Sequence, residues 1–143
     1  MKPIEGGCIC GAVRYSSAAE PITVRNCWCR VCQYFGSGNA TVNVVFPKDA
    51  VTIRGELNDY VSTADSGNTM HRRFCPACGT QMFSESEARP HLIIIRAGTL
   101  DDREIAKAGA TIWTRSAPSW GYVDPDLPHF EGQAPAPPPV KPA

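Results

Sequence analysis

The 143-residue sequence has no excess of charge of either sign. Lysine and arginine together number 14, aspartate and glutamate together also number 14, and the net charge is therefore zero. Proteins that attract nucleic acid or an anionic membrane over a distance carry an excess of basic residues. We therefore expect neither nucleic acid nor a membrane surface among the partners of this chain.

Long apolar runs are also missing. No segment approaches the ~20 apolar residues that a membrane-spanning helix needs. The longest aliphatic run, Leu92-Ile93-Ile94-Ile95, has the length of a strand, and residues 1–7 lack the apolar core of a signal peptide. These absences predict a cytoplasmic protein, in a compartment where thiols stay reduced.

Cysteine, by contrast, is abundant, and all seven cysteines fall in three clusters. In a reducing compartment such clusters indicate metal ligands rather than disulfides, and an odd number leaves one cysteine over in any scheme of internal bridges. Closely spaced pairs present two sulfurs to one ion, and zinc prefers tetrahedral thiolate coordination. The clusters are Cys8-Ile9-Cys10, Cys27-Trp28-Cys29-Arg30-Val31-Cys32 and Cys75-Pro76-Ala77-Cys78.

The three clusters can be divided between metal ions in two ways. Either the first and third clusters form a closed four-thiolate site, or Cys29 and Cys32 join the third cluster as in a zinc ribbon. We favour the first division because it uses all seven sulfurs, and it predicts two zinc ions per chain. The closed site would be structural, since it ties the N-terminal region to a turn past the middle of the chain. The two predicted sites are Cys8, Cys10, Cys75 and Cys78, and Cys27, Cys29 and Cys32.

The three-thiolate cluster supplies the candidate catalytic residues, Cys27, Cys29 and Cys32. Catalytic zinc typically has three protein ligands and a fourth position for water or substrate. Three thiolates leave a net charge near −1, which makes a poor Lewis acid for generating hydroxide, whereas a soft thiol suits the fourth position. We therefore predict an open zinc that holds a substrate thiol as a thiolate.

Two other interpretations of this cluster stay open. His71, His91, His129 or an aspartate would make the site a second structural one by supplying a fourth ligand. Alternatively, Cys29 and Cys32 have the spacing of a redox-active pair, although no βαβ pattern surrounds them.

The rest of the sequence predicts a compact, mainly β fold. Short runs of strand composition alternate with turn signals, and Val42 and Val44 alternate with polar neighbours as in a half-buried strand. One or two helical turns are predicted over residues 30–35. The predicted strands are residues 12–15, 22–25, 40–46, 51–54, 59–62, 70–74, 81–83, 92–97 and 111–114.

The sequence ends in a segment rich in proline and alanine. Proline removes backbone donors and blocks both helices and central strands. We therefore divide the chain into a zinc domain over residues 1–131 and an extended or disordered tail over residues 132–143. A proline-rich ligand for a partner protein is the alternative role of this tail.

Three segments around the cysteines resemble a known family. Together with residues 97–102 and 126–131, they make the sequence similar to the glutathione-dependent formaldehyde-activating enzymes, a family that includes centromere protein V. The resemblance covers nearly all of residues 6–131, and all seven metal cysteines of the family pattern have counterparts. The segments are Gly7-Cys8-Ile9-Cys10-Gly11-Ala12-Val13-Arg14-Tyr15, Cys27-Trp28-Cys29-Arg30-Val31-Cys32 and Phe74-Cys75-Pro76-Ala77-Cys78-Gly79-Thr80.

This resemblance implies an all-β fold of the kind shared with methionine sulfoxide reductase B. It implies structural zinc on the four-cysteine set, and a second zinc on the three-cysteine set with the thiol of glutathione bound beside it. The activity it implies is that of a carbon–sulfur lyase, in which glutathione captures formaldehyde as S-(hydroxymethyl)glutathione. The alternative is a non-catalytic zinc module that binds a protein.

Two positions depart from the family pattern. Members commonly have histidine between the first two cysteines of the second cluster and arginine after its third cysteine, where this sequence has Trp28 and Gln33. The missing cation predicts weaker binding of an anionic thiol such as glutathione. Arg30, Arg72 and Arg73 lie near the clusters in sequence and are candidates for binding substrate carboxylates.

Overall fold

Ten short strands and one helix build residues 1–135, the part of the chain that the computed structural model describes. Four single-turn 3-10 helices, Lys48–Ala50, Ala97–Thr99, Arg103–Ala106 and Thr114–Ser116, connect some of them. The mainly β prediction is confirmed. The main elements are β1 (Ile4–Gly7), β2 (Arg14–Ser17), β3 (Thr23–Cys27), α1 (Arg30–Phe35), β4 (Thr41–Pro47), β5 (Val51–Arg54), β6 (Asn58–Thr63), β7 (Thr69–Phe74), β8 (Gln81–Ser86), β9 (Leu92–Arg96) and β10 (Ala110–Ile112).

The strands form two sheets. The smaller sheet has the order β1-β2-β5, and the larger has the order β10-β3-β4-β9-β8-β7-β6. All neighbouring strands are antiparallel except β10 and β3, which run parallel. The segment from β6 to β9 is a meander, in which each strand pairs with the next along the chain.

The two faces of the larger sheet have opposite character, and strand register shows why. Residues paired across strands share a face, while sequence neighbours point to opposite faces. Val24, Val44, Ile95 and Phe83 are paired in one row across four strands, and all of them are buried in the core. The neighbouring row on the opposite face is polar and contains Arg25, Asn43 and Arg96.

The apolar face packs against the smaller sheet, and this contact forms the main core. Tyr15 of the small sheet and Val13, which directly precedes β2, meet Phe46, Phe83 and other residues of the large sheet in one buried cluster. The ring of Tyr15 packs edge-on against Phe83 with centroids 5.4 Å apart. Because the core uses this face, the polar face is free to build a site.

A second apolar cluster lies around α1 on the polar side of the large sheet. It contains the second cysteine cluster together with Trp28, Ile112, Trp113 and Ala134. Trp28 is 1% exposed and belongs to this cluster. These residues hold the loop after β10 against the start of α1.

The last described residues, 132–135, lie against this second cluster. The backbone N–H of Trp113 donates to the carbonyl of Gly132 at 3.1 Å, and the guanidinium of Arg25 donates to the carbonyl of Pro135 at 3.0 Å. Residues 136–143, the remainder of the expected tail, lie outside the described residues. Within residues 1–135, no helix has the length and apolarity needed to cross a membrane.

The close approach of β1 to β2 generates a stability prediction. A Cβ on Gly6 would lie 2.3 Å from both the carbonyl oxygen of Thr99 and the hydroxyl of Tyr15, whereas a Cβ on Gly98 would meet nothing within 4 Å. We expect Gly6→Ala to lower the free energy of unfolding by about 1–3 kcal/mol, as overpacking does. Urea denaturation should show a change of less than about 0.5 kcal/mol for Gly98→Ala. Equal midpoints for the two variants would contradict this packing.

Candidate metal centre

Two turns bring four sulfurs together at one end of the molecule. Cys8 and Cys10 lie in the turn after β1, and Cys75 and Cys78 lie in the turn that joins β7 to β8. The ligand atoms of these four residues all lie within 4.8 Å of one another. The cluster therefore connects the small sheet to the large one, and it matches the predicted four-thiolate set.

The spacing of these sulfurs fits a tetrahedral metal site. The Sγ atoms of Cys8 and Cys10 are 3.6 Å apart, and those of Cys10 and Cys75 are 3.7 Å apart. A tetrahedron with zinc–sulfur distances of 2.3 Å has edges of about 3.8 Å. The donor set and the sulfur separations both suit a thiophilic ion such as zinc.

Glycine shapes both turns of this cluster. Gly11 follows Cys10 with a φ of 79°, and Gly79 follows Cys78 with a φ of 76°. Glycine adopts this left-handed conformation without steric cost. The Gly11 N–H donates to the carbonyl of Cys8, and the Gly79 N–H donates to the carbonyl of Cys75. Each turn thereby folds back on itself and directs its two sulfurs to the same point.

Hydrogen bonds favour the thiolate at Cys78 and Cys8; at Cys10, despite a hydrogen bond from the Ala12 backbone, the contact with Cys8 raises the pKa to about 11. The hydroxyl of Thr80 lies 3.1 Å from the sulfur of Cys78, and this contact is the main cause that lowers the pKa of Cys78 to about 5. The backbone N–H of Val13 donates to the sulfur of Cys8 at 3.2 Å. A thiolate is the form that binds a metal ion.

The second cluster forms where β3 passes into α1. Cys27 ends β3, Cys29 is the N-cap of α1, and Cys32 lies in the first turn of the helix. All three are buried, and their sulfurs lie within 4.8 Å of one another. The sulfur of Cys29 accepts a hydrogen bond from the backbone N–H of Cys32 at 3.3 Å. The structure thus separates the seven cysteines as four and three, and the zinc-ribbon division is wrong.

No fourth protein ligand joins this cluster within residues 1–135. No His, Asp or Glu ligand atom lies within 4.8 Å of all three sulfurs. The histidines lie elsewhere: His71 contacts Asp59 at 2.6 Å and Glu87 at 3.1 Å, while His91 and His129 are exposed. The described residues therefore leave a position beside the three sulfurs that no predicted histidine fills.

The side chain of Gln33 forms hydrogen bonds next to the cluster, one of them to the backbone of Trp28. The side-chain amide of Gln33 is buried and donates to the carbonyls of Trp28 and Ser116 at 2.7 and 2.9 Å. The Gln33 carbonyl oxygen accepts from the guanidinium of Arg30 at 2.7 Å. Gln33 therefore holds the loop after β10 against the start of α1, and an arginine at this position would bury a charge in place of those bonds.

A cavity of about 110 Å³ opens beside the three sulfurs on the polar face of the large sheet. Arg72 and Arg96 line it, at 4% and 9% exposure. The Arg96 guanidinium lies 4.0 Å from the sulfur of Cys32 and donates to Asn43 and Ser84. Within residues 1–135, neither arginine forms a salt bridge with a carboxylate. The cavity therefore combines thiols with two buried positive charges.

Inside the cavity, charged groups shift the pKa values of both a cysteine and an arginine. The pKa of Cys32 is lowered because Cys27 and Cys29 hydrogen-bond to its sulfur and because the charge of Arg96 lies nearby. Burial lowers the pKa of Arg72, and the negative charge of Cys32 partly offsets this effect. The Cys32 thiolate and the nearby guanidinium groups therefore stabilise one another where water is scarce, whereas hydrogen bonds to Cys29 and Cys32 raise the pKa of Cys27.

The arginines predicted from sequence proximity have different roles. Arg72 lines the cavity, as expected of a candidate for substrate binding. Arg73 instead pairs with Glu85 at 3.0 Å, and Arg30 lies over the ring of Tyr34 at 5.2 Å; neither lines the cavity. The sequence analysis did not predict Arg96 as a residue of the site. The feature that could have indicated it is a basic residue at the end of an apolar strand.

The far walls of the cavity come from two loops that the sequence analysis did not single out. Asp65 in the β6–β7 loop and Trp113 after β10 both line it. Trp113 has left-handed backbone angles, φ 60° and ψ 36°, which are uncommon outside glycine. Its indole N–H donates to the side chain of Gln133 at 3.1 Å, which fixes the ring as a wall of the site.

Comparison with known proteins identifies similar chains. A family model for glutathione-dependent formaldehyde-activating enzymes matches residues 3–116. A Halomonas elongata protein that bears the name of such an enzyme is 27% identical over 103 residues, which are 68% of this chain and 66% of that relative. The crystal structure of a Rhodobacter sphaeroides protein aligns with a TM-score of 0.55 at 20% identity, over 73% of this chain and 96% of that one. This last likeness concerns the fold alone.

The two clusters should respond differently to loss of one sulfur. Structural zinc sites contribute on the order of 10 kcal/mol to folding, and the four-thiolate cluster joins the two sheets. We expect Cys75→Ser to lose most of its folded protein in circular dichroism and thermal melts. Cys29→Ser should stay folded and contain one metal ion fewer per chain than the wild type. Equal loss of folded protein in both variants would show that the second cluster is structural too.

Proposed function

The chain belongs to the glutathione-dependent formaldehyde-activating enzyme family, and we propose from this that it joins a small thiol, glutathione, to formaldehyde at the three-thiolate cluster. The observation that carries the proposal is a set of three buried sulfurs beside an open cavity, with no fourth protein ligand in the described residues. A closed site would offer a substrate no place to bind. We assign the role of ligand to Cys27, Cys29 and Cys32.

Zinc is the ion that this donor set fits best. Four thiolates at tetrahedral separations suit a structural zinc, and three thiolates with an open position suit a reactive one. We therefore propose two zinc ions per chain. When bound at the open site, zinc would lower the pKa of an added thiol and hold the thiolate in place.

The buried charges favour an anionic fourth ligand. Three thiolates and a divalent ion carry a net charge of −1, and Arg72 and Arg96 add two positive charges. These buried groups together leave one positive charge, which a substrate thiolate would neutralise. An unpaired charge in such a buried place is costly, so the arginines favour a thiolate over water at this position.

The proposed reaction is an addition. The sulfur of the thiol attacks the carbonyl carbon of formaldehyde, a carbon–sulfur bond forms, and the carbonyl π bond breaks. The proton lost by the thiol is returned to the carbonyl oxygen, which becomes the hydroxyl of the adduct. The reverse reaction is a carbon–sulfur lyase reaction. Arg72 and Arg96 would stabilise the charge of the sulfur before the attack.

A non-catalytic module that binds a protein is the second candidate. The exposed aromatic residues Tyr34, Trp120 and Tyr122 give it some support, since exposed aromatics are common at interfaces. The open cavity beside reactive sulfurs has no role in such a module. For that reason the enzyme is the better-supported proposal.

Proton release on binding tests the proposal. A free thiol has a pKa of about 8.5, so glutathione bound as a thiolate should release about one proton per molecule near neutral pH. Calorimetry in two buffers of different ionisation enthalpy measures this number. S-methylglutathione, which has no ionisable thiol, should bind more weakly and release no proton. Equal affinities for the two compounds would overturn the proposed mode of binding.

A further inference from the structure

The cavity beside the cysteines continues as a groove along the polar face of the large sheet. A neighbouring pocket with a volume of about 70 Å³ shares six of its lining residues with that cavity. Both apolar and polar side chains line the groove. The shared residues are Asn43, Ser84, Arg89, Ile94, Ile112 and Gln133.

Two arginines stand at the far part of this groove. Arg25 lines the neighbouring pocket, and Arg89 lines both it and the cavity. Arg25 precedes Cys27 by two residues on β3, so their side chains lie on the same face of the sheet. The two Cα atoms are about 6.7 Å apart along the strand. The groove therefore runs from the sulfurs to a pair of cations.

Arg25 and Arg89 lack a carboxylate partner among residues 1–135. Both residues line the same pocket of about 70 Å³, and like charges that share so small a space repel. Neither forms a salt bridge with an acidic residue in residues 1–135. Arg25 donates one hydrogen bond to the carbonyl of Pro135, which leaves most of its N–H donors for another acceptor.

We propose that Arg25 and Arg89 bind a carboxylate of the thiol substrate and make the site selective for acidic thiols of peptide type. An anion between the two arginines would relieve their repulsion, and guanidinium groups bind carboxylates through paired hydrogen bonds. One peptide unit spans at most ~3.6 Å, so a carboxylate up to two units from the thiol-bearing residue can reach across the roughly 6.7 Å of strand that separate Cys27 from Arg25. This proposal rests on the proposed function, because it takes the sulfur to lie at the three-thiolate cluster.

Steady-state kinetics with two thiols test this specificity. With glutathione, Arg25→Gln and Arg89→Gln should each raise KM about tenfold, as loss of a charged hydrogen bond predicts, with kcat little changed. With 2-mercaptoethanol, which has no carboxylate, kcat/KM should not change. Arg54→Gln is the matched control, since Arg54 is an exposed arginine on β5 in the other sheet. Equal losses with both thiols, or no rise in the KM for glutathione, would overturn the proposal.

A binding experiment separates this proposal from the proposed function. S-methylglutathione keeps both carboxylates of glutathione, and its binding at millimolar concentration can be followed by NMR of the arginine Nε–H groups. We expect the resonances of Arg25 and Arg89 to shift in the wild type, and each Gln variant to bind about tenfold more weakly. This result would stand even if formaldehyde and glutathione were not converted. No shift in the wild type, or equal affinity in the variants, would refute the carboxylate site.

Comparing Arg89→Gln with Arg25→Gln shows whether weaker binding comes from the lost charge or from a disturbed neighbouring segment. Arg25→Gln removes the bond to the carbonyl of Pro135 and thereby loosens residues 132–135. The side chain of Arg89 makes no hydrogen bond to residues 132–135. Weaker binding in Arg25→Gln alone would attribute the effect to that segment and contradict the two-arginine site.

Discussion

Seven sulfurs packed in two groups, each within 4.8 Å, are the constraint on which the rest of this structure depends. As thiolates they repel one another, and only a cation among them makes such crowding favourable. The four-sulfur group draws together the turn after β1 and the turn between β7 and β8, which belong to different sheets. Cys8 and Cys75 belong to the same buried cluster as Tyr15 and Phe83, so the sulfur group and the main core between the sheets stabilise the same contact.

The two faces of the large sheet have different roles. Its apolar row builds the core, and its polar row carries Arg25, Asn43 and Arg96 towards the three-sulfur group. Buried arginines without carboxylate partners are unfavourable in an ordinary interior. Here the thiolates supply negative charge, so the cysteines and the arginines of this face make each other's burial tolerable. That mutual dependence is what suits the site to an anionic sulfur ligand.

The cysteine groups and the helix could be predicted from the sequence, because short local patterns indicate them. The cysteine spacings allowed two divisions, the one that uses all seven sulfurs is the one observed, and residues 30–35 are the observed helix. β1 was missed because Gly6 and Gly7 have low strand propensity, and pairing with β2 forms it nonetheless. The groove was missed because register decides which side chains share a face: Arg25 and Arg96 are 71 positions apart and meet only across β4. The same holds for Gln33, whose partner Ser116 lies far along the chain.

X-ray absorption at the zinc edge, with and without glutathione, tests the central claim most directly. With zinc in both sites, the seven cysteines supply seven sulfur ligands to two ions, and one lighter ligand completes the second site. Added glutathione should replace that ligand, so that eight sulfurs surround the two ions and the oxygen or nitrogen contribution disappears. A spectrum that keeps its lighter ligand at saturating glutathione would contradict the claim that the three-sulfur site is open to a thiol.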